Sequence, residues 1–257
     1  MSAMRFITIP TNGITLRAAV QGSGPLVLLV HGFPEGWHSW RHQLGPIAAA
    51  GFTACAVDVR GYGGSSKPPA VADYALAQIT ADIAGAAAHL QPGAPAILVG
   101  HDWGAPIVWN TALAHPQQVR AVAGLSVPWT GIAKVPFLEP IRAAFTAKGR
   151  FFYQVYFQDE GVAEAELEAD VRASLRKFVY AISGDAPDGT WPKNKPHGAK
   201  LLDGLPDPQP FPAWWTRADE DHFVAEFTAS GFRGPLNRYR NHDRDFAWQQ
   251  QFIGRQI

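Results

Sequence analysis

Four short apolar runs, spaced by stretches of helical periodicity, constrain this chain more than any other feature. Leu26–Val30, Thr53–Asp58, Ala96–Gly100 and Arg120–Ser126 have the length of strands. Trp37–Ala50, Leu76–Leu90 and Trp103–His115 between them read as helices. Strands that alternate with helices pair in parallel, because each crossover returns the chain to the same end of the sheet. Ahead of them, Phe6–Ile9 and Thr15–Val20 flank Asn12-Gly13, a hairpin signal. The expected fold class is therefore α/β, a mostly parallel sheet flanked by helices, with an antiparallel hairpin at its start.

The pattern changes after Ser126. From Pro128 to Trp248 no strong strand is expected, and Leu167, Val171, Leu175, Phe178, Val179 and Ile182 fall on one helical face. Glu164, Glu166 and Glu168 come early on that helix and Arg172, Arg176 and Lys177 late, an order that suits the helix dipole. Pro187–Pro212, rich in Pro and Gly, reads as irregular. Thr216 with Asp219 predicts a capping box, Gly231 the end of that helix, and Pro235 the start of the next. Phe246–Ile257 reads as a last helical stretch. The organisation expected is a first part of the core over 1–128, a helical insert over 129–245, and a return to the core over 246–257.

Composition excludes several classes. Lys+Arg and Asp+Glu both number 22 in 257 residues, so neither nucleic acid nor an anionic membrane is an expected partner. The single cysteine, Cys55, cannot form an internal disulfide and reads as a small core residue. The N-terminus lacks an apolar signal region, and the longest apolar runs are strand-sized. A cytoplasmic protein is the expectation.

The sharpest chemical signal is Gly100-His101-Asp102-Trp103-Gly104, between a strand and a helix. This is the setting of a nucleophile elbow, in which a tight turn thrusts the middle residue up at the sheet edge. Here that residue is Asp, whose carboxylate is ionised near neutrality without a base and suits displacement at an sp³ carbon. A structural Asp capping the next helix is the alternative. His31-Gly32-Phe33-Pro34 follows Leu26–Val30, where a second loop would supply an oxyanion-hole N–H. The expected donors are the backbone N–H groups of Phe33 and Trp103. A plain turn is the alternative. The Gly-rich Asp58–Pro68 segment lacks the Gly-Lys-Ser/Thr ending of a phosphate loop and reads as structural.

HGFPEGWHSWRHQ, DVRGYGGSSKP and VGHDWGAPIVW together resemble the epoxide hydrolases of the α/β-hydrolase superfamily. Phe151–Gln158, Gly161–Glu168 and Ser230–Asn241 resemble the helical cap of the soluble members. The resemblance runs from about Leu26 to the end of the chain. It implies an α/β-hydrolase core with an inserted cap, no cofactor or metal, an epoxide and water as partners, and a homodimer as one assembly to consider. It also implies that two cap tyrosines, Tyr153 and Tyr239 by motif position, activate the epoxide oxygen while Asp102 forms a covalent ester. Tyr156, three residues from Tyr153, is the competing position. His31, Pro34, Trp129 and Phe152 are expected in the pocket wall, with Phe137, Trp191, Trp214 and Trp215 shaping it.

The resemblance further implies a water-activating His with an acid partner. Ser126–Trp129, the usual first acid position, holds no carboxylate, and no His follows a late strand. His242 is the one late histidine and lies beside the Tyr239 motif. The base and its acid are therefore expected outside this chain, with two further core strands on the order of 60–80 residues. A haloalkane or haloacid dehalogenase shares the Asp nucleophile, but two phenol donors suit an oxygen leaving group better than a halide. A non-catalytic relative that binds a small ligand is the other alternative.

Overall fold

The computed structural model describes residues 3–191 and 194–257. The hairpin pairs β1 (Arg5–Thr11) with β2 (Ile14–Gly22) across Asn12-Gly13. Then come β3 (Leu26–Val30), α1 (Arg41–Ala49), β4 (Thr53–Val57), α2 (Leu76–Leu90), β5 (Ala96–His101), α3 (Gly104–Ala114) and β6 (Val119–Leu125). The strands form one sheet in the order β1-β2-β4-β3-β5-β6. β2 joins β4 antiparallel, and β4, β3, β5 and β6 run parallel. Each expected strand and helix of this half is present, with ends shifted by a residue or so. One start differs more: Trp37–Trp40 is a 3-10 turn ahead of α1.

Alternation along the strands divides the core in two. Val27 and Leu29 of β3 and Ala54 and Ala56 of β4 pack with Trp37, Trp40 and Leu44 on the α1 side. Leu26, Leu28 and Val30, with Cys55 and Val57, face α2 and α3 on the other. β3 is buried on both faces, as a central parallel strand must be. Cys55 is fully buried, and burial pushes its thiol up to about 12, so it is an inert core residue.

After β6 the chain is helical: α4 (Leu138–Ala144), α5 (Tyr153–Tyr156), α6 (Val162–Ala169), α7 (Val171–Ala181), α8 (Arg217–Ser230), α9 (Arg233–Tyr239) and α10 (His242–Gln249). Among the described residues no strand follows β6; one isolated bridge joins Arg150 to Pro196. The stretch over 187–212 holds no helix, although Pro192 and Lys193 lie outside the described residues, as do Met1 and Ser2 of the N-terminal reading.

The single helix expected through Leu167–Ile182 is two. Asp170 breaks it, turning its carboxylate onto the Ala173 N–H at 3.0 Å to cap α7. Arg172 therefore stands in the first turn of α7 and Arg176 at its middle, instead of both ending a longer helix. They are held by carboxylates outside it, Glu220 of α8 and, for Arg176, Asp207. Ile182 is left largely exposed. The capping box on α8 forms as expected, with Thr216 and Asp219 exchanging hydrogen bonds, and the helix ends at Gly231. α9 starts at Arg233, two residues before Pro235, and the last α-helix starts at His242 and stops at Gln249.

Candidate active site

The turn between β5 and α3 holds Asp102 in the left-handed region, with φ of +49°. The close approach needs Gly104: a Cβ there would lie 2.0 Å from the Val30 carbonyl oxygen. α3 thereby packs directly against β3, and the Asp102 carboxylate is set beside the loop that follows β3.

That loop supplies the donor expected of it. The Phe33 N–H donates to Asp102 Oδ1 at 2.9 Å, just ahead of a cis Phe33–Pro34 bond. Burial raises the Asp102 carboxyl above its ordinary range, and the Phe33 and Trp103 N–H groups pull it back by supporting the anion. One carboxylate oxygen thus sits at the Phe33 N–H donor.

Two phenols face this carboxylate, Tyr153 on α5 and Tyr239 on α9, with ring centroids 6.1 Å apart. Asp102, Tyr153 and Tyr239 all line a cavity of about 760 Å³. Burial raises both tyrosines, and the Asp102 charge adds to it, so both stay protonated. Gln154 Nε2 donates to the Tyr153 hydroxyl oxygen at 2.7 Å, and the Tyr239 ring meets Trp103 edge-on, with centroids 5.1 Å apart. With its oxygen's accepting side occupied, the Tyr153 O–H is left to donate. Tyr156 is not part of this pair. Its hydroxyl donates to Glu166 at 2.8 Å.

The expected wall residues divide. Pro34 lines the large cavity with Trp191, Trp214 and Trp215. Trp129 and Phe137 line a second cavity of about 340 Å³, which shares Asp102 and Tyr153 with the first. His31 is in neither and is a correction to the sequence reading. Its ring is buried beneath the loop, with Nδ1 bonded to the Gly32 carbonyl at 2.8 Å and Nε2 accepting from the Val59 N–H at 3.0 Å. It ties the β3 and β4 loops together. Phe152 is also outside both cavities, tilted against Tyr153 and Phe145 and so backing the tyrosine.

His242 borders the second cavity, but among the described residues no carboxylate bonds it. Burial and Arg238 push its imidazole down to about 3, which leaves it a poor base near neutrality.

A pair missed by sequence reasoning stands on the wall of the large cavity. His101 Nδ1 lies 3.0 Å from Glu35 Oε1, and Glu35 Oε2 accepts from the Gly32 N–H at 2.6 Å. Burial raises Glu35, but His101 and the Gly32 N–H outweigh it and hold the carboxyl below its ordinary range. The hydrogen bond to Glu35 raises His101 in turn. Both residues stand inside motifs quoted above, yet 66 positions apart, and nothing local joins them. Among the described residues no group of three or more His, Cys, Asp or Glu could hold a metal ion.

The sheet order, the elbow and the facing N–H donor define an α/β hydrolase, and the alpha/beta hydrolase fold family matches residues 25–183. The chain is 41% identical over 253 residues to epoxide hydrolase A of Mycobacterium tuberculosis, covering 97% of this chain and 77% of that protein. Bifunctional epoxide hydrolase 2 of Rattus norvegicus is 40% identical over 95% of this chain, which spans 43% of the rat protein's length. The crystal structure of epoxide hydrolase A from Mycobacterium thermoresistibile superposes with a TM-score of 0.93 at 42% identity, covering 99% of this chain and 80% of that one. The chain belongs to the epoxide hydrolase family of the α/β-hydrolase superfamily.

Proposed function

We propose that the protein converts epoxides and water to vicinal diols through a hydroxyalkyl ester on Asp102. The observation that carries this reading is the Asp102 carboxylate facing two protonated phenols across one cavity. Oδ2 attacks an epoxide carbon, and the C–O bond to the ring oxygen breaks. The electron pair goes to that oxygen, which takes a hydrogen bond or proton from Tyr153 and Tyr239. The tyrosines come from the helical segment over 129–245, which acts as a cap above the elbow.

In the second half-reaction water attacks the ester carbonyl. The carbonyl oxygen is the former Oδ1, already bonded by the Phe33 N–H. It is therefore in place for its negative charge to be held as the tetrahedral intermediate forms. Collapse releases the diol and restores the carboxylate. The water's proton goes to a base, and the resemblance assigns that role to a His after a late core strand. The first half-reaction needs no such residue.

Dehalogenation fits less well. A halide leaving group needs N–H donors and no proton transfer, whereas the groups that share the cavity with Asp102 are two protonated phenols.

The test is intact-protein mass spectrometry with styrene oxide, together with diol analysis. An ester on Asp102, transient with diol or stable without it, supports the reading, and Asp102→Ala abolishes it. Neither ester nor diol, or capture that survives Asp102→Ala, sinks it.

A further inference from the structure

The second cavity meets the large one at Asp102 and Tyr153, so a substituent on a bound epoxide can extend into it. Most of its wall is apolar, including Trp103, Trp129 and Phe137. Four buried polar atoms on residues of that wall lack a hydrogen-bond partner among the described residues; two of them, Arg238 Nε and Asp245 Oδ2, belong to side chains that pair with each other, and two stand outside that ion pair. His242 is 8% exposed and Gln154 is 9% exposed, both line this cavity, and His242 Nε2 and Gln154 Oε1 have no hydrogen-bond partner among the described residues. Buried polar atoms ordinarily have partners, so two unmet ones in a cavity beside Asp102 point to a ligand group that meets them.

We infer that this chamber selects epoxides whose substituent carries a neutral hydrogen-bonding group, a hydroxyl above all, with His242 Nε2 as its partner. The inference rests on the epoxide-opening reading and adds a substrate class to it. Charge in the chamber favours a neutral group. The Arg238 guanidinium, stacked over Trp103 at 4.4 Å, is paired with Asp245 at 2.5 Å. The imidazole of His242 is itself neutral near neutrality, because burial and Arg238 disfavour its cation. A hydroxyl can donate or accept, so it satisfies either imidazole tautomer and can donate to the amide oxygen of Gln154. The His242 ring is held in place by Phe137, stacked 4.7 Å away at 25°.

The experiment measures rates of ester formation on Asp102 by intact-protein mass spectrometry. It compares ring-hydroxymethyl styrene oxides with the methyl-substituted isomers of the same shape. In the unaltered protein at least one hydroxymethyl isomer reacts about fivefold faster than its methyl counterpart, the size of one net hydrogen bond. His242→Phe, which keeps a ring against Phe137, removes that advantage. His242→Met serves the same purpose where the phenylalanine variant loses its fold, and His242→Gln, which retains a hydrogen-bonding amide, restores part of the advantage. No advantage in the unaltered protein, as when ordered water already satisfies Nε2, overturns the inference alone. So does an advantage that persists in the phenylalanine and methionine variants. No ester with any isomer takes the epoxide reading down with it.

Discussion

Gly32→Ala tests the placement of Asp102 through the rate of ester formation. A Cβ on Gly32 would lie 2.3 Å from Asp102 Oδ1, 2.4 Å from its Cβ and 2.7 Å from its Cγ. Ordinary contact begins near 3.4 Å, so the carboxylate must retreat by about 1 Å. That breaks its 2.9 Å bond from the Phe33 N–H. Displacement of a reacting group by about 1 Å can cost about 10²-fold in rate. We expect ester formation from styrene oxide to slow by about that factor, measured as adduct mass against time. Rotation can move the carboxylate but not Asp102 Cβ, so the backbone of one of the two loops must also give, and the unfolding midpoint should fall as well. Gly45→Ala is the control. It lies within α1 with open space around its Cβ position, and should be neutral or stabilise by about 0.5–1 kcal/mol. An unchanged rate in Gly32→Ala, or equal losses in both variants, would refute the placement argument.

Three other outcomes are expected. Asp82→Asn leaves the buried Arg60 guanidinium without the carboxylate that now bonds it twice at 2.5 Å. Breaking such a pair costs about 3–5 kcal/mol, read from urea unfolding. Thr216→Ala removes the side chain that caps α8 and lowers stability by about 1 kcal/mol in the same assay. His38 and His222 stack 4.1 Å apart between the sheet domain and α8, and burial lowers both below 6.5. Asp219 and Arg41 also face His38; Glu226, Arg17, Asp58 and Arg41 also face His222. The unfolded chain therefore binds more protons below 6.5, and stability present above that pH is lost as the solution is acidified through it. His222→Asn should flatten the fall in melting temperature over that range; an unchanged slope would exclude the pair as its source.

Much of this was legible in the chain because the signals are local. β3 and α2 fall on their expected bounds because apolar periodicity and flanking breakers are read within each segment. The elbow is legible for the same reason, since five consecutive residues specify strand, turn and helix. The break at Asp170 was not legible. The apolar stripe continues across it, and only the side chain's turn onto Ala173 shows that a cap won over helix continuation. The Glu35–His101 pair needed the fold to bring together two loops distant in sequence. His31 shows the opposite error. The family resemblance put it in the pocket wall, but whether a side chain at such a turn points up or down depends on what the neighbouring loop offers it. The Val59 N–H settles that.

The left-handed backbone at Asp102 sets the chain's comfort against its chemistry. An L-residue with a Cβ is held there at a cost of about 1 kcal/mol, somewhat eased for Asp, and its carboxylate is also kept away from water. Glycine would relieve both penalties. A selection for heat resistance alone, blind to turnover, would therefore drift toward glycine at position 102, discarding the one side chain on which the proposed reaction depends.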